Sequence, residues 1–283
     1  MADFIGLEAE SIMRLTVVGS SDALNSLGRS HSSSLLEGDG VGPLMIDFGA
    51  TSLAALRKIG RNPTELRGIA LTHLHGDHVG GFAFLVIDGM YNEVRRHPLA
   101  VVGPRLTAER IDTVLRTAYG SLADDARPFE MPIREVEPGG IVEVAGVTIE
   151  AFAADHMDPP DCPLCLRISA NGKVIAFSGD TRICDGLFAA AEGADLLVAE
   201  CTALTHPCGR HCAWEDWRAL LGPGIPNTSG TAGPEPRARR TIGAKRVLFT
   251  HLGRAVRERA ADLVNELPGA AIAFAEDGMV VMP

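Results

Sequence analysis

At 283 residues, with 46% hydrophobic and 22% charged side chains, the chain is long enough to bury a substantial core and lies outside disordered, collagen-like and coiled-coil compositions. A net charge of −10 disfavours tight binding to a polyanion unless positive charge is gathered in one place, which makes small substrates the default. The acidic opening Met-Ala-Asp-Phe-Ile-Gly-Leu-Glu does not read as a secretory signal, and the strongest apolar run, Phe82 to Ile87, is far shorter than the roughly 20 residues of a membrane span. A cytoplasmic protein with no membrane partner is expected, its six cysteines reduced thiols, core residues or metal ligands rather than a disulfide framework.

In chain order, apolar β-rich runs predict strands at Leu15 to Val18 and Leu44 to Phe48, a helix over Ser52 to Ile59 and a strand at Gly68 to Thr72. A strand at Leu99 to Val102 precedes an amphipathic helix over Thr107 to Tyr119, and Ile141 to Ala154 reads as strand. Leu164 to Ser178 is strand-forming on both sides of Asn171-Gly172, the strongest hairpin signal in the chain, which makes Ser178-Gly-Asp-Thr181 a strand end. A helix over Gly186 to Ala191, strands at Leu196 to Glu200 and Val247 to Thr250, a helix over Ala255 to Glu266 and a strand at Ala271 to Ala275 complete the pattern. Gly222 to Pro236 holds enough proline and glycine to forbid helix or strand and reads as a long loop. Such alternation indicates layered α/β architecture. One domain over 1–283 is expected, in two halves of roughly 1–150 and 151–283, with a Cys/His/Trp-rich insert and the Pro/Gly-rich loop at about 201–236.

Ile69-Ala-Leu-Thr-His-Leu-His-Gly-Asp-His-Val-Gly-Gly81 begins as a buried strand and then packs three histidines and an aspartate into six residues. No apolar core needs that set, whereas imidazole and carboxylate suit Zn²⁺ and related divalent ions. The alternating spacing puts His73 and His75 on one side and turns Asp77 and His78 toward a second centre. Later strands end in Asp180 and His251; a carboxylate buried at such a place is strongly unfavourable unless it is paired or binds a metal.

His-x-His-x-Asp-His after an apolar strand resembles the signature of the metallo-β-lactamase superfamily, and Ala154-Asp-His156, Ser178-Gly-Asp-Thr181 and Phe249-Thr-His251 follow in that superfamily's order. The resemblance spans Leu15 to about Leu263 and implies a four-layer αβ/βα sandwich. It also implies that His73, His75 and His156 hold one metal, that Asp77, His78 and His251 hold another, and that Asp180 bridges them. The implied cofactors are two divalent ions, Zn²⁺ first, with Mn²⁺ or iron as alternatives. Such a pair supplies hydroxide near neutral pH and polarises the scissile group. Asp77 would serve both as ligand and as general base.

Aspartate rather than cysteine at position 180, the Ser- and Arg-bearing stretch from Val18 to Ser34, Leu44-Met-Ile-Asp-Phe-Gly49 and Ala194-Asp-Leu-Leu-Val-Ala-Glu-Cys-Thr202 resemble the ribonuclease Z and phosphodiesterase branch. Two departures count against a tRNA-processing enzyme. Members that cut tRNA carry a long RNA-gripping arm between the third histidine and the bridging aspartate, yet only 24 positions separate His156 from Asp180. They also carry a His-Ser-Thr motif whose histidine assists proton transfer; Ser229 cannot replace it, which leaves His211 or His206 as substitutes.

A basic cluster from Arg237 to Arg259 reads first as a solvated helix face, with Arg254 the residue best placed to meet an anionic group. His211, Trp214 and Trp217 are further candidates for substrate binding. Cys162, Cys165, Cys208 and Cys212 could form an accessory metal site, but their spacings match no standard structural-zinc pattern, and a pocket wall or plain packing is the alternative. The resulting expectation is a dinuclear phosphodiesterase-like hydrolase acting on a small anionic or ester substrate. A lactone or thioester hydrolase is the runner-up, a non-catalytic metal-binding protein a third reading, and a homodimer is compatible with all of them.

Overall fold

Met13, Leu15 and Val17 alternate along the first strand and enter one core, while Val18 enters another, so the strand is buried on both faces. The same division recurs at Leu166 against Cys165 and at Val198 against Leu197. Such strands belong to sheets covered on both sides. The structure, a computed structural model, describes residues 13–222 and 241–283.

The first sheet contains β1 (Met13–Gly19), β2 (Ser33–Gly38), β3 (Val41–Ile46), β4 (Gly68–Ala70), β5 (Ala100–Gly103) and β6 (Ile133–Glu135). The second contains β7 (Ile141–Val144), β8 (Val147–Ala153), β9 (Leu164–Ala170), β10 (Lys173–Phe177), β11 (Leu196–Glu200), β12 (Val247–Thr250) and β13 (Ile272–Phe274). The last strand, β14 (Val280–Val281), returns to pair antiparallel with β1, giving sheet orders β14-β1-β2-β3-β4-β5-β6 and β13-β12-β11-β10-β9-β8-β7. Both sheets are mixed: β1 to β3 and β7 to β10 pair antiparallel, whereas β3 to β6 and β10 to β13 pair parallel.

Three apolar cores separate four layers. Leu15, Leu44, Ile149, Leu166, Ile175 and Val198 fill the space between the sheets. Helices α1 (Ser52–Lys58), α3 (Phe82–Tyr91) and α4 (Thr107–Tyr119) cover the first sheet through Leu56, Phe82, Leu85, Ile111 and Leu115. Helices α5 (Asp185–Ala191), α6 (Trp214–Leu221) and α7 (Arg254–Asn265) cover the second through Leu187, Trp217, Val256 and Leu263. The short helix α2 (Gly76–Val79) lies in the loop after β4. This is the αβ/βα sandwich expected from the motif. No helix among the described residues is long and apolar enough to cross a membrane.

One stretch differs from the sequence expectation, and two carry helices that the sequence reading does not assign. Ile141 to Ala154 is not one strand: Ala145 and Gly146, at φ 50° and 83°, turn it into the hairpin β7–β8. Phe82 to Ile87 opens helix α3, which is buried along most of its circumference and shows little apolar periodicity. The Cys/His/Trp-rich insert ends in helix α6. By contrast, Asn171 and Gly172 adopt φ 52° and 70°, as a two-residue turn with positive φ at both positions requires. The loop expected at 222–236 lies, apart from Gly222, outside the described residues.

Candidate metal centre

The metal-ligand candidates sit just past strand ends or on α2. His73 lies beyond β4, the chain then turns into α2 carrying Asp77 and His78, and His156, Asp180 and His251 follow β8, β10 and β12. The turn before Asp180 needs a residue without Cβ: Gly179 has φ 56°, and a Cβ there would stand 2.8 Å from Leu164 O and 2.9 Å from Thr72 Cβ. His251 adopts φ 51° with a side chain present, a left-handed conformation that costs about 1–2 kcal/mol. The surrounding structure sustains that cost at the point where the ring enters the site.

Asp180 Oδ2 is the meeting point. His251 Nε2 lies 3.2 Å from it, His78 Nε2 3.5 Å, His73 Nε2 3.7 Å and His156 Nε2 3.8 Å. Asp77 Oδ2 lies 3.2 Å from His78 Nε2 and 3.3 Å from His251 Nε2, and His75 Nδ1 faces His156 Nε2 at 2.9 Å. Four groups of ligand atoms lie within 4.8 Å of one another among the described residues: His73, His75 and His156; Asp77, His78, Asp180 and His251; and two that add His211, with His156 and Asp180 or with Glu200 and His251. His73 Nε2 and His78 Nε2 are buried with no hydrogen-bond partner, a costly state for a polar atom. Nitrogen and carboxylate donors converging on orphaned buried nitrogens suit a divalent cation, so the residues fit a metal site.

The electrostatics follow from that convergence. Burial and the neighbouring imidazole of His78 drive the His73 pKa well below its usual value, and burial with His156 lowers that of His75. Burial works against a charge on His78 and His251 too, but there carboxylates outweigh it: Asp180 and Asp47 hold His78 well above its usual value, and Asp180 and Asp77 raise His251 to about 9. Burial opposes ionisation of Asp77 and Asp180, yet the imidazoles of His251 and His78 hold both carboxyl groups far below the usual carboxylate range.

Hydrogen bonds behind the rings fix their orientation. His78 Nδ1 pairs with Asp47 Oδ2 at 2.8 Å, and Asp47 also accepts from Thr72 N and Thr72 Oγ1, both at 2.8 Å. Thr72 Oγ1 lies 3.1 Å from His73 Nδ1, His156 Nδ1 pairs with Arg210 O at 3.0 Å, and His251 Nδ1 pairs with Thr202 Oγ1 at 2.9 Å. Such partners set ring orientation and raise ligand basicity. Asp47 and Thr202 hold the rings of His78 and His251, a placement that the motifs containing them do not announce. The Asp-x-Gly turn after β3 was the available signal for Asp47.

Of the substrate-binding candidates, His211 reaches the centre. Its Nδ1 lies 3.0 Å from Glu200 Oε1 and 3.9 Å from Asp180 Oδ2, and although burial opposes a charge, Glu200 raises its pKa above the usual histidine value. Trp214 and Trp217 are 3% and 0% exposed, which fits packing rather than a pocket wall. Both are buried in the outer core around Phe249, their indole N–H groups donating to Glu266 Oε2 and Glu200 O, because two large apolar rings on α6 are covered by the sheet beneath. Arg254 is 71% exposed and pairs with Glu258 one helical turn on, at 2.8 Å. The four cysteines do not assemble into a metal site among the described residues. Cys162 lies near Glu137, Cys165 is sealed in the outer core, Cys208 Sγ faces His206 Nδ1 at 3.2 Å, and Cys212 donates to Thr181 O.

Comparison with known proteins gives this geometry its context. Residues 13–222 match the family model described as "Anti-Pycsar protein Apyc1". A ribonuclease Z from Streptomyces avermitilis is 30% identical over 281 residues, covering 85% of this chain and 87% of its own. Among solved structures, the metallo-β-lactamase-fold protein YhfI from Bacillus subtilis superposes with a TM-score of 0.74 at 19% identity, covering 96% of this chain and all of its own. A diphosphatase of the PhnP family does so with a TM-score of 0.69 at 18% identity, covering 95% and 97%. The chain belongs to the metallo-β-lactamase superfamily, as a metal-dependent hydrolase of its ribonuclease Z and phosphodiesterase branch and a member of the family described as anti-Pycsar protein Apyc1.

Proposed function

We propose that the chain is a dinuclear phosphodiesterase that hydrolyses a small phosphodiester. The observation that carries this reading is the approach of histidines from two ligand-atom groups to Asp180 Oδ2, with His211 Nδ1 3.9 Å away. His73, His75 and His156 would hold one divalent ion, Asp77, His78 and His251 a second, with Asp180 shared and Zn²⁺ the ion best matched to the donors. Held there, such ions would supply activation of a water and polarisation of a phosphoryl oxygen.

The protein's own residues supply the rest. Asp77, ionised through the working pH range, accepts a hydrogen bond from the attacking water; its depressed pKa suits it to orienting that water more than to acting as a strong base. His211, whose pKa Glu200 raises against burial, is placed to donate a proton to the departing oxygen. Glu200 is in turn held by Thr181 N at 2.7 Å and Thr202 Oγ1 at 2.6 Å, so the dyad is oriented at both ends.

A small substrate is favoured over tRNA because the chain between His156 and Asp180 is a short loop followed by the tight hairpin β9–β10, where RNA-gripping relatives need an arm. Net negative charge gives no compensating attraction to RNA. The test is one panel with zinc-reconstituted protein: an aryl phosphodiester, an aryl phosphomonoester, a lactone, a thioester and a precursor tRNA. The diester is expected to turn over fastest and the tRNA poorly; rapid lactone hydrolysis without diesterase activity, or efficient cut at the tRNA 3′ side, would displace the proposal.

A further inference from the structure

Between β11 and the first turn of α6, three side chains with no part in the chemistry above meet in a row. His206 Nε2 lies 2.9 Å from Asp216 Oδ2, and His206 Nδ1 lies 3.2 Å from Cys208 Sγ. Helix α6 builds the arrangement: Glu215 Oε1 accepts from His206 N at 2.8 Å, and Asp216 Oδ2, which also accepts from Ala213 N at 2.8 Å, holds the ring. His206 is 43% exposed and Cys208 is half-buried, so the row lies at the surface.

The rules of donors and acceptors place the protons. An ionised carboxylate accepts and does not donate, so in the neutral ring Nε2–H points to Asp216 and the Nδ1 lone pair faces the thiol. The one S–H proton has two acceptors in reach, His206 Nδ1 and, at 3.3 Å, His211 O. Burial, Glu200 and Asp216 push the Cys208 thiol up. The sulfur therefore starts as a thiol at neutral pH and needs a base to react, and a sulfur of raised pKa is the stronger nucleophile once its proton is gone. A nucleophile, a base in hydrogen-bond reach and a third group that orients the base are the parts of an activated cysteine. The other five cysteines are placed differently. Cys165, Cys201 and Cys212 are fully buried, Cys184 donates to Ala153 O, and Cys162 Sγ lies 4.0 Å from Glu137 Oε2.

We propose that Cys208, His206 and Asp216 form a thiol–disulfide exchange site that takes up one half of a small cationic disulfide. Glu215 and Asp216, both bonded to His206, give the site its negative surroundings and hence its preference for a cation. As the Cys208 sulfur attacks one sulfur of the disulfide, its proton passes to His206 Nδ1. The new S–S bond forms as the old one breaks, and the departing thiolate takes that proton from the imidazolium and leaves as a free thiol. Asp216 stabilises the imidazolium in passing. Excess thiol reverses the exchange. The modified sulfur lies one hydrogen bond from the backbone of His211.

The test exposes the zinc-loaded full-length protein to excess cystamine and follows each cysteine by peptide mass spectrometry. Cys208 is expected to gain a cysteamine group, removable by dithiothreitol, at least about tenfold faster than Cys162 or Cys184, and faster than it is modified by the anionic disulfide dithiodiglycolate. His206→Gln should slow the reaction of Cys208 at least about tenfold. Asp216→Asn, which keeps an acceptor for Ala213 N, should slow it by a smaller factor. Cys208 reacting no faster than Cys162 and Cys184, a wild-type rate in either variant, or faster uptake of dithiodiglycolate would each overturn the proposal. The ranking of cysteines in the wild type decides the matter even if a variant fails to fold.

Discussion

Two stretches of this chain are dense in ligand-forming side chains, and they meet different fates. His73 to His78 leaves a strand end and a four-residue helix, so its donors project toward the strand ends of the opposite sheet, where His156, Asp180 and His251 stand. Cys201 to Trp217 carries three cysteines, two histidines and two tryptophans, but it folds onto the outer face of the second sheet. There Trp214 and Trp217 bury against Phe249, Cys212 binds a backbone carbonyl, and His206 bridges Cys208 and Asp216. From this stretch His211 returns to the centre through Glu200, while Thr202 Oγ1 and Arg210 O hold the rings of His251 and His156 from behind. Donor density in sequence therefore does not make a metal site; the decisive factor is whether the backbone brings donors from both sheets to one point.

Substitutions break this comparison at successive depths. Asp180→Ala removes the carboxylate that lies 3.2–3.8 Å from histidines of both ligand groups and is expected to lower kcat/KM by about 10³-fold or more, with an unchanged far-ultraviolet circular dichroism spectrum. Activity near the wild-type level would show that the groups do not share that carboxylate. His211→Asn should cost about 10²-fold in kcat and change the pH profile. Because the pKa of His211 is raised, the acid form is present below it and wild-type activity falls as pH rises through it; the variant should lack that alkaline limb. An unaltered limb would remove His211 from proton transfer.

Asp47→Ala tests the support behind the first stretch. Losing the acceptor for His78 Nδ1 and Thr72 should weaken Zn²⁺ binding by about 10–100-fold, measured by chelator competition, while unchanged affinity would make Asp47 a purely structural turn residue. The smallest effect is expected in the insert: Cys208→Ser should leave metal content unaltered and change stability by less than about 0.5 kcal/mol. A drop in bound zinc would restore the accessory site there.

How much was legible depended on how local each signal was. Asn171-Gly172 announces its turn because both positions need positive φ, and the histidine motif announces a cation because no core accepts that set. Ala145-Gly146 makes a similar turn at φ 50° and 83°, but alanine carries no such preference, so β7 and β8 read as one strand. Helix α3 escaped notice because an element buried nearly all round loses its periodicity. The work of Asp47 and Thr202 arises from partners 31 and 49 residues away, and that of Glu200 from partners 11 and 19 residues away, which no local pattern encodes. The tryptophans were misjudged because composition alone does not distinguish a pocket wall from a core; their burial against Phe249 does.

The central proposal is that the donors gathered from the two sheets would hold two cations with Asp180 between them. Elemental analysis of chelator-stripped protein reconstituted with Zn²⁺ and freed of excess metal tests it most directly. The account predicts two ions per chain in the wild type, and a wild-type value that stays at one ion per chain under saturating metal would contradict it.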